Sequence, residues 1–208
     1  MSDPIAASEL TITAETRHAL IRRGVSLEYI TLGWNVVGSV IVIVAALAAR
    51  SVALAGFGLD SLIEIVASVT VIWELTGAGG EERERRALRL IGIAFLCLAL
   101  YILAQSAYTL LSRSHPHTSI LGIVWLAATL MAMLLLSWGK RVTGECIGNP
   151  VLMTEAHVTL IDALLAAAVL IGLVLNAAFG WWFADPLAGL VIVYYGIREG
   201  LTALRHEE

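Results

Sequence analysis

The sequence predicts an all-α, polytopic membrane protein whose six transmembrane helices form one bundle. Of its 208 residues, 59% are hydrophobic and 14% are charged, whereas about a quarter of the residues in an ordinary soluble domain are charged. Its mean hydropathy is +0.85. The chain also contains six apolar runs, and about 20 apolar residues of helix cross the roughly 30 Å hydrocarbon core of a bilayer. Composition and run length therefore place the chain in a membrane.

The six predicted spans follow one another with only short connections between them. They lie at about 27–49, 52–76, 88–111, 118–138, 152–176 and 183–204. Turn-forming or polar residues separate them at 49–51, 76–80, 114–117, 144–150 and 176–180. We therefore divide the chain into an N-terminal segment at 1–26, a transmembrane domain at 27–204 and a short tail at 205–208.

The distribution of positive charge predicts the orientation of the bundle. With six spans both ends of the chain lie on one side, and all but two of the 13 Lys and Arg residues fall on that side. The exceptions are Arg50 and Arg113. Because basic residues concentrate in cytoplasmic loops, we expect both termini in the cytoplasm and the protein in the cell membrane. The polar residues 1–24 lack the apolar core of a secretory signal, so we expect the first span to remain as an anchor.

Composition also argues against several classes of function. A net charge of −4 disfavours a nucleic-acid partner, since phosphate binding needs a clustered basic surface. The sequence lacks the His-Glu-x-x-His and Gly-x-Ser-x-Gly patterns of hydrolases, so we predict neither an enzyme nor a prosthetic group. Cys97 falls inside the third span and Cys146 in a predicted cytoplasmic loop, and we expect both thiols to be free.

Carboxylates inside the spans are the strongest candidates for function. A charged side chain in hydrocarbon is costly, so such residues face protein or water. Asp60 and Glu64 on the second span are four residues apart and share one helix face. Glu155, Thr159 and Asp162 share one face of the fifth span. Two like charges this close together hold protons or share a cation.

The depths of these residues allow the two faces to meet. The predicted midpoints lie near residue 64 in the second span and near residue 164 in the fifth. At a rise of about 1.5 Å per residue, Asp60, Glu64 and Asp162 all lie within roughly 6 Å of the midplane. Carboxylate oxygens meeting there suit a divalent cation, and Glu155 lies nearer the cytoplasmic end. The alternative is that these acids are protonated and only join helices through hydrogen bonds.

Other polar residues are weaker candidates. Glu28 begins a polar face of the first span and suits a pathway or a packing role equally. Asp185 precedes Pro186 at the start of the sixth span, where capping of that helix is favoured over ion binding. His115 and His117 flank Pro116 in the external loop, a spacing that suits contact with a leaving metal but lacks the further ligands of a tetrahedral site. Cys146, beside Glu145, and His157 suit an entry route to the site, although His157 is five residues from Asp162 and so points away from the carboxylate face.

A resemblance to a known family rests on the second span. Residues 53–68 read ALAGFGLDSLIEIVAS, which is similar to the second helix of the cation diffusion facilitator family. The resemblance extends over about 20–204. It implies two metal ligands at Asp60 and Glu64, a third at Asp162, and a sixth helix that opens with Asp185. Val158 stands where the family usually has His or Asp, so Glu155, Thr159, water or His157 would have to complete the site.

The resemblance also implies a function. The family exports Zn²⁺ and related divalent ions in exchange for protons, so we expect a proton-coupled divalent cation efflux transporter that lies in a lipid bilayer. Zn²⁺ comes first by resemblance, and an all-oxygen site also favours Mn²⁺, Co²⁺ or Fe²⁺. The chain ends at Glu208, so we expect a short form without the soluble C-terminal domain through which many members dimerise. A homodimer is compatible with this expectation, but the resemblance does not predict the oligomeric state. The alternative is a non-transporting membrane subunit or metal sensor with the same fold.

Overall fold

A computed structural model describes residues 14–75 and 81–205. Every regular element in these two ranges is an α-helix, which confirms the all-α prediction. The helices are α1 Ala14–Ala49, α2 Val52–Leu75, α3 Glu81–Ser112, α4 Ile120–Ile147, α5 Pro150–Phe179 and α6 Ala184–Arg205. The predicted turn at 76–80 and the last three residues of the predicted tail lie outside the described residues.

The helices have the length and the surface of a membrane bundle. Four are long and apolar enough to cross a bilayer, at Thr16–Ala49, Gly92–Ser112, Ile120–Ile147 and Leu152–Phe179. The other two, α2 and α6, have 24 and 22 residues, which also suffices to span the hydrocarbon core. Large apolar side chains cover the outside of the bundle, and Leu47, Leu111 and Ile120 are each at least 75% exposed. Such a surface is stable in lipid and not in water.

α2 contacts most of the other helices, although Leu62, Val66 and Val69 on one of its faces are exposed. It packs against α1, α3, α5 and α6, while α4 packs mainly against α5 and α3 against α6. Small residues let the backbones approach closely, as membrane helices commonly require. A Cβ on Gly172 of α5 would lie 2.9 Å from the Cβ of Ala188 and 3.0 Å from the carbonyl oxygen of Ala184 on α6. The helix that carries Asp60 and Glu64 is therefore in contact with four other helices.

Two helices extend beyond the apolar runs that predicted them. α1 begins at Ala14, more than three turns before the first predicted span, because polar residues that favour helix precede the apolar run. α4 continues past residue 138 to Ile147 and ends at Gly148, whose φ of 64° gives the left-handed cap. Asn149 then caps α5, accepting a hydrogen bond from the amide of Leu152. Lys140 and Cys146, predicted in a loop, are thus helical.

The structure also corrects the predicted role of Asp185. This residue lies in the first turn of α6, as expected. Its carboxylate, however, accepts hydrogen bonds from the hydroxyl of Ser51 and from the backbone amide of Val52, the latter at 3.0 Å. Both partners lie at the start of α2. Asp185 therefore caps α2 from a neighbouring helix, and the prediction that it caps α6 was wrong.

Candidate metal centre

Three of the four predicted metal ligands line one cavity. Asp60 and Glu64 reach it from α2, and Asp162 reaches it from α5. These side chains are at most 3% exposed. The cavity has a volume of about 10 Å³, close to the least space that holds one water molecule. We call it the carboxylate cavity.

Two carboxylates of this cavity lack hydrogen bonds that buried oxygens normally make. Within the described residues, neither oxygen of Asp162 has a hydrogen-bond partner, and Glu64 Oε2 has none either. More than nine in ten buried polar groups in proteins are paired, so an exception needs an explanation such as an unseen ion or water. These oxygens are available to a cation or to protons.

The carboxylates do not form a closed ligand set as they stand. Across residues 14–75 and 81–205, no three His, Cys, Asp or Glu side chains are close enough together to hold a metal ion. Asp60 and Glu64 are separated by one helical turn, or about 6 Å along the axis. Coordination of one ion by all three carboxylates therefore requires their side chains to move closer to one another.

Two helices that the sequence did not implicate complete the wall of the cavity. Tyr195 and Glu199 of α6 lie four residues apart and both line it, and Phe95 of α3 closes another side. The Glu199 side chain is 16% exposed. One feature of the sequence could have pointed to Glu199, namely its position one helical turn after Tyr195, which places both on one face of the sixth span. Next to Arg198, it reads more simply as part of the solvated end of the helix.

Val158 faces the cavity as well. It is the position where the resembled family usually carries a ligand, so the place for a fourth ligand exists here but holds an apolar side chain. Among the described residues that line the cavity, none is His or Cys. The ligand chemistry of this centre is therefore carboxylate and phenol oxygen.

The fourth predicted ligand, Glu155, lies in a separate cluster. Glu155 Oε1 is 3.3 Å from the ammonium nitrogen of Lys140, which also lies 3.0 Å from Glu28 Oε2. Lys140 donates a further hydrogen bond of 3.0 Å to the hydroxyl of Thr159. All four side chains are buried. We call Glu28, Lys140, Glu155 and Thr159 the lysine cluster.

Lys140 was not among the predicted candidates because it follows the predicted fourth span and reads as a residue of a cytoplasmic loop. One signal was available, since Lys140 is the only lysine in the chain and lies two residues beyond the predicted fourth span. Its partners come from α1 and α5, so the pairing depends on tertiary contacts. Glu28, for which pathway and packing roles were both open, is fully buried and bound to Lys140.

The lysine cluster and the carboxylate cavity adjoin each other along α2. Asp60, Glu64 and Ser68 follow one face of this helix at intervals of four residues. Ser68 lies next to Glu28, and on α5 Glu155 is seven residues, or about 10 Å along the axis, from Asp162. Polar side chains on α2 and α5 thus extend from one group toward the other.

The remaining candidates lie elsewhere. The ring of His115 stacks edge-on against Trp182 at 5.1 Å between centroids, and the amide of His117 donates to the carbonyl of Ala49 at 2.7 Å. These contacts lie where α1 and α3 end. Cys146 and His157 are exposed. None of the four lines the carboxylate cavity.

The fold and its interior carboxylates define a class of protein, a helical membrane protein with an acidic site inside the bundle. The family model described as the cation efflux transmembrane domain matches residues 89–207, more than half of the chain. The protein therefore belongs to the cation efflux family, which consists of metal cation transporters and not of enzymes. This result confirms the resemblance to the cation diffusion facilitators. The matched segment includes Asp162 and Asp185, whereas α2 with Asp60 and Glu64 precedes it.

A curated relative supports the same class of membrane protein. Over 153 residues the chain is 26% identical to Transmembrane protein 163 of Xenopus laevis. The alignment covers 69% of this chain and 54% of the relative. The chain thus spans about half the length of the curated relative that it matches.

Proposed function

We propose that the protein is a proton-coupled exporter of a divalent metal cation and that the carboxylate cavity is its transport site. One observation carries the proposal. Both oxygens of Asp162 and Oε2 of Glu64 are buried and lack hydrogen-bond partners within the described residues, and the two side chains line the same cavity of about 10 Å³. A buried carboxylate without a partner is strongly disfavoured unless it binds a cation or a proton. Because the protein belongs to a family of metal cation transporters, we favour a metal cation as the ligand of these oxygens.

The ligands narrow the choice of ion. Asp60, Glu64 and Asp162 supply oxygens, with Glu199 or water available as the fourth ligand. Zn²⁺ fits a four-coordinate site and comes first by family, while oxygen ligands alone also suit Mn²⁺, Co²⁺ and Fe²⁺. Glu155 belongs to the route into the cavity and not to the first set of ligands, because it binds Lys140 at 3.3 Å.

Proton coupling follows from the nature of the ligands. A carboxylate binds a metal ion only in its ionised form, so protons and metal compete for the same oxygens. The metal enters from the cytoplasm, where both termini lie, and leaves on the other side of the cell membrane as external protons take its place. Rocking of the 27–204 bundle between two open states moves the site from one side to the other, as in other secondary transporters.

A second candidate function is a non-transporting membrane subunit or metal sensor. It is favoured by Val158, which leaves the cavity one ligand short of the family pattern, and by the open arrangement of the carboxylates across the described residues. In that role the same residues bind metal or hold helices together without moving ions.

Transport assays on purified protein separate the two functions. Proteoliposomes with an internal metal-sensitive dye would be exposed to external Zn²⁺ or Mn²⁺ with an acidic interior. We expect wild type to take up metal, and Asp60→Asn to take up none while eluting as a folded species. Glu145→Gln is the matched control, because Glu145 is an exposed carboxylate paired with Arg141 on the surface of α4. Equal uptake by wild type and Asp60→Asn would refute the proposed site.

A further inference from the structure

Lys140 is held as a bound cation would be held. Its ammonium group is fully buried and has three oxygen neighbours, from Glu28 at 3.0 Å, Glu155 at 3.3 Å and Thr159 at 3.0 Å. An ammonium has three donors, so this set uses all of them. The oxygens come from α1 and α5, whereas the cation comes from α4. They form a cation site whose occupant belongs to the chain itself.

The net charge of the lysine cluster suits an ion with a higher charge than that of an ammonium group. Two carboxylates share one ammonium, so the ionised cluster has one uncompensated negative charge. Within the described residues, Glu28 Oε1 is buried and has no hydrogen-bond partner. A divalent cation would compensate both carboxylates and give this oxygen a ligand bond. A purely structural ion pair is a weak explanation, since buried ion pairs often stabilise a fold no better than apolar side chains do.

The position of the cluster places it on a path to the carboxylate cavity. Glu155 and Asp162 share a face of α5 and are seven residues apart, or about 10 Å along the helix. Ser68, which is buried and lies next to Glu28, continues the polar face of Asp60 and Glu64 on α2. An ion that moves between the cavity and the end of the bundle where α4 meets α5 therefore passes Lys140.

We propose that Lys140 is a tethered cation occupying a second cation site, and that a divalent ion on its way to the carboxylate cavity displaces it. The displacement rests on the proposed function, whereas the second site does not. Lys140 keeps the path closed by binding both Glu28 and Glu155 until a metal ion competes for them. The ammonium then moves away while the ion passes to Glu64 and Asp162.

The second site is tested by counting bound ions. Equilibrium dialysis of detergent-solubilised protein with Zn²⁺ or Mn²⁺ gives the number of ions per chain. At a free metal concentration too low to displace Lys140 in wild type, we expect Lys140→Met to bind one more ion than wild type, and Lys140→Met/Glu28→Gln to lose that ion again. Arg141→Met removes a neighbouring charge from an exposed side chain and should bind the wild-type number. Folded Lys140→Met that binds no additional ion would overturn the second site.

The displacement is tested in the wild-type protein, so it does not depend on whether Lys140→Met folds. Because Lys140 is the only lysine, lysine labelled with ¹⁵N at Nζ gives one side-chain NMR signal in a chain without a lysine-containing tag. We expect saturating Zn²⁺ to shift this signal, and Asp60→Asn/Asp162→Asn to reduce the effect at equal Zn²⁺. An unchanged signal in metal-loaded wild type would overturn the displacement.

The two experiments also distinguish the inference from the proposed transport function. If wild type binds no ion but Lys140→Met binds one, the second site stands and the transport site fails. If wild type binds and transports metal while Lys140→Met binds no extra ion, transport stands and the second site fails.

Discussion

Asp185, in the first turn of α6, accepts a 3.0 Å hydrogen bond from the backbone amide of Val52 at the start of α2. The hydroxyl of Ser51 donates to the same carboxylate. One buried side chain thus accepts hydrogen bonds from the start of α2 and joins that helix to α6. Since α2 carries Asp60 and Glu64 and α6 carries Glu199, this contact fixes two walls of the carboxylate cavity relative to each other.

Replacement of Asp185 should destabilise the bundle. We expect Asp185→Ala to lower the free energy of unfolding by about 2 kcal/mol, since it removes a helix cap and charge-assisted hydrogen bonds from a buried position. Asp185→Asn keeps one acceptor oxygen and should cost less. Thermal unfolding of the detergent-solubilised protein measures both. An unchanged melting temperature for Asp185→Ala would show that the contact contributes no stability.

Asp162 should behave in the opposite way. Because neither of its oxygens has a partner within the described residues, Asp162→Asn gives up no hydrogen bond and removes a buried charge. We expect the free energy of unfolding to change by less than about 1 kcal/mol or to rise. Metal uptake should nevertheless disappear. A variant that unfolds readily would instead assign Asp162 a structural role.

Metal binding should weaken as the pH falls. Each carboxylate that ligates the ion must first lose any proton that it carries, so binding releases protons and the affinity falls by about tenfold per pH unit for each proton released. Zn²⁺ titrations of the solubilised protein at several pH values give the slope. We expect Glu145→Gln to match wild type and Glu64→Gln to show a smaller slope. Affinity that is independent of pH would contradict competition between protons and metal.

An added ligand at Val158 should favour Zn²⁺. Val158 lines the cavity with an apolar side chain, and imidazole nitrogen suits Zn²⁺ better than Mn²⁺. We expect Val158→His to raise the ratio of Zn²⁺ affinity to Mn²⁺ affinity about tenfold over wild type, a difference of roughly 1.4 kcal/mol. Val158→Leu is the control for side-chain volume. Equal selectivity in the two variants would mean that this position does not reach the bound ion.

The sequence was sufficient to predict the parts of the site that depend on one helix at a time. Asp60 and Glu64 share a face because they are four residues apart, and their depth in α2 matches that of Asp162 in α5. Both properties follow from the helical repeat and the length of each apolar run. The structure accordingly brings these three residues to one cavity.

The parts that the sequence could not supply depend on contacts between helices. A lone lysine at the end of an apolar run reads as a residue in water, because an unpaired ammonium is costly in hydrocarbon. Lys140 is stable inside the bundle only because Glu28 and Glu155 come from two other helices. The pairing of Asp185 with α2 and the approach of Glu199 to the cavity likewise involve residues more than a hundred positions apart in the chain.

Under the proposed mechanism, the same carboxylates hold either metal or protons. Proteoliposomes with equal pH on both sides would receive an inward Zn²⁺ gradient while an internal dye reports pH. We predict that the interior becomes alkaline as Zn²⁺ enters, because protons leave in exchange, and that Asp60→Asn abolishes both movements. Zn²⁺ entry through wild type without any change of internal pH, under conditions where the vesicles hold a pH gradient, would contradict the account.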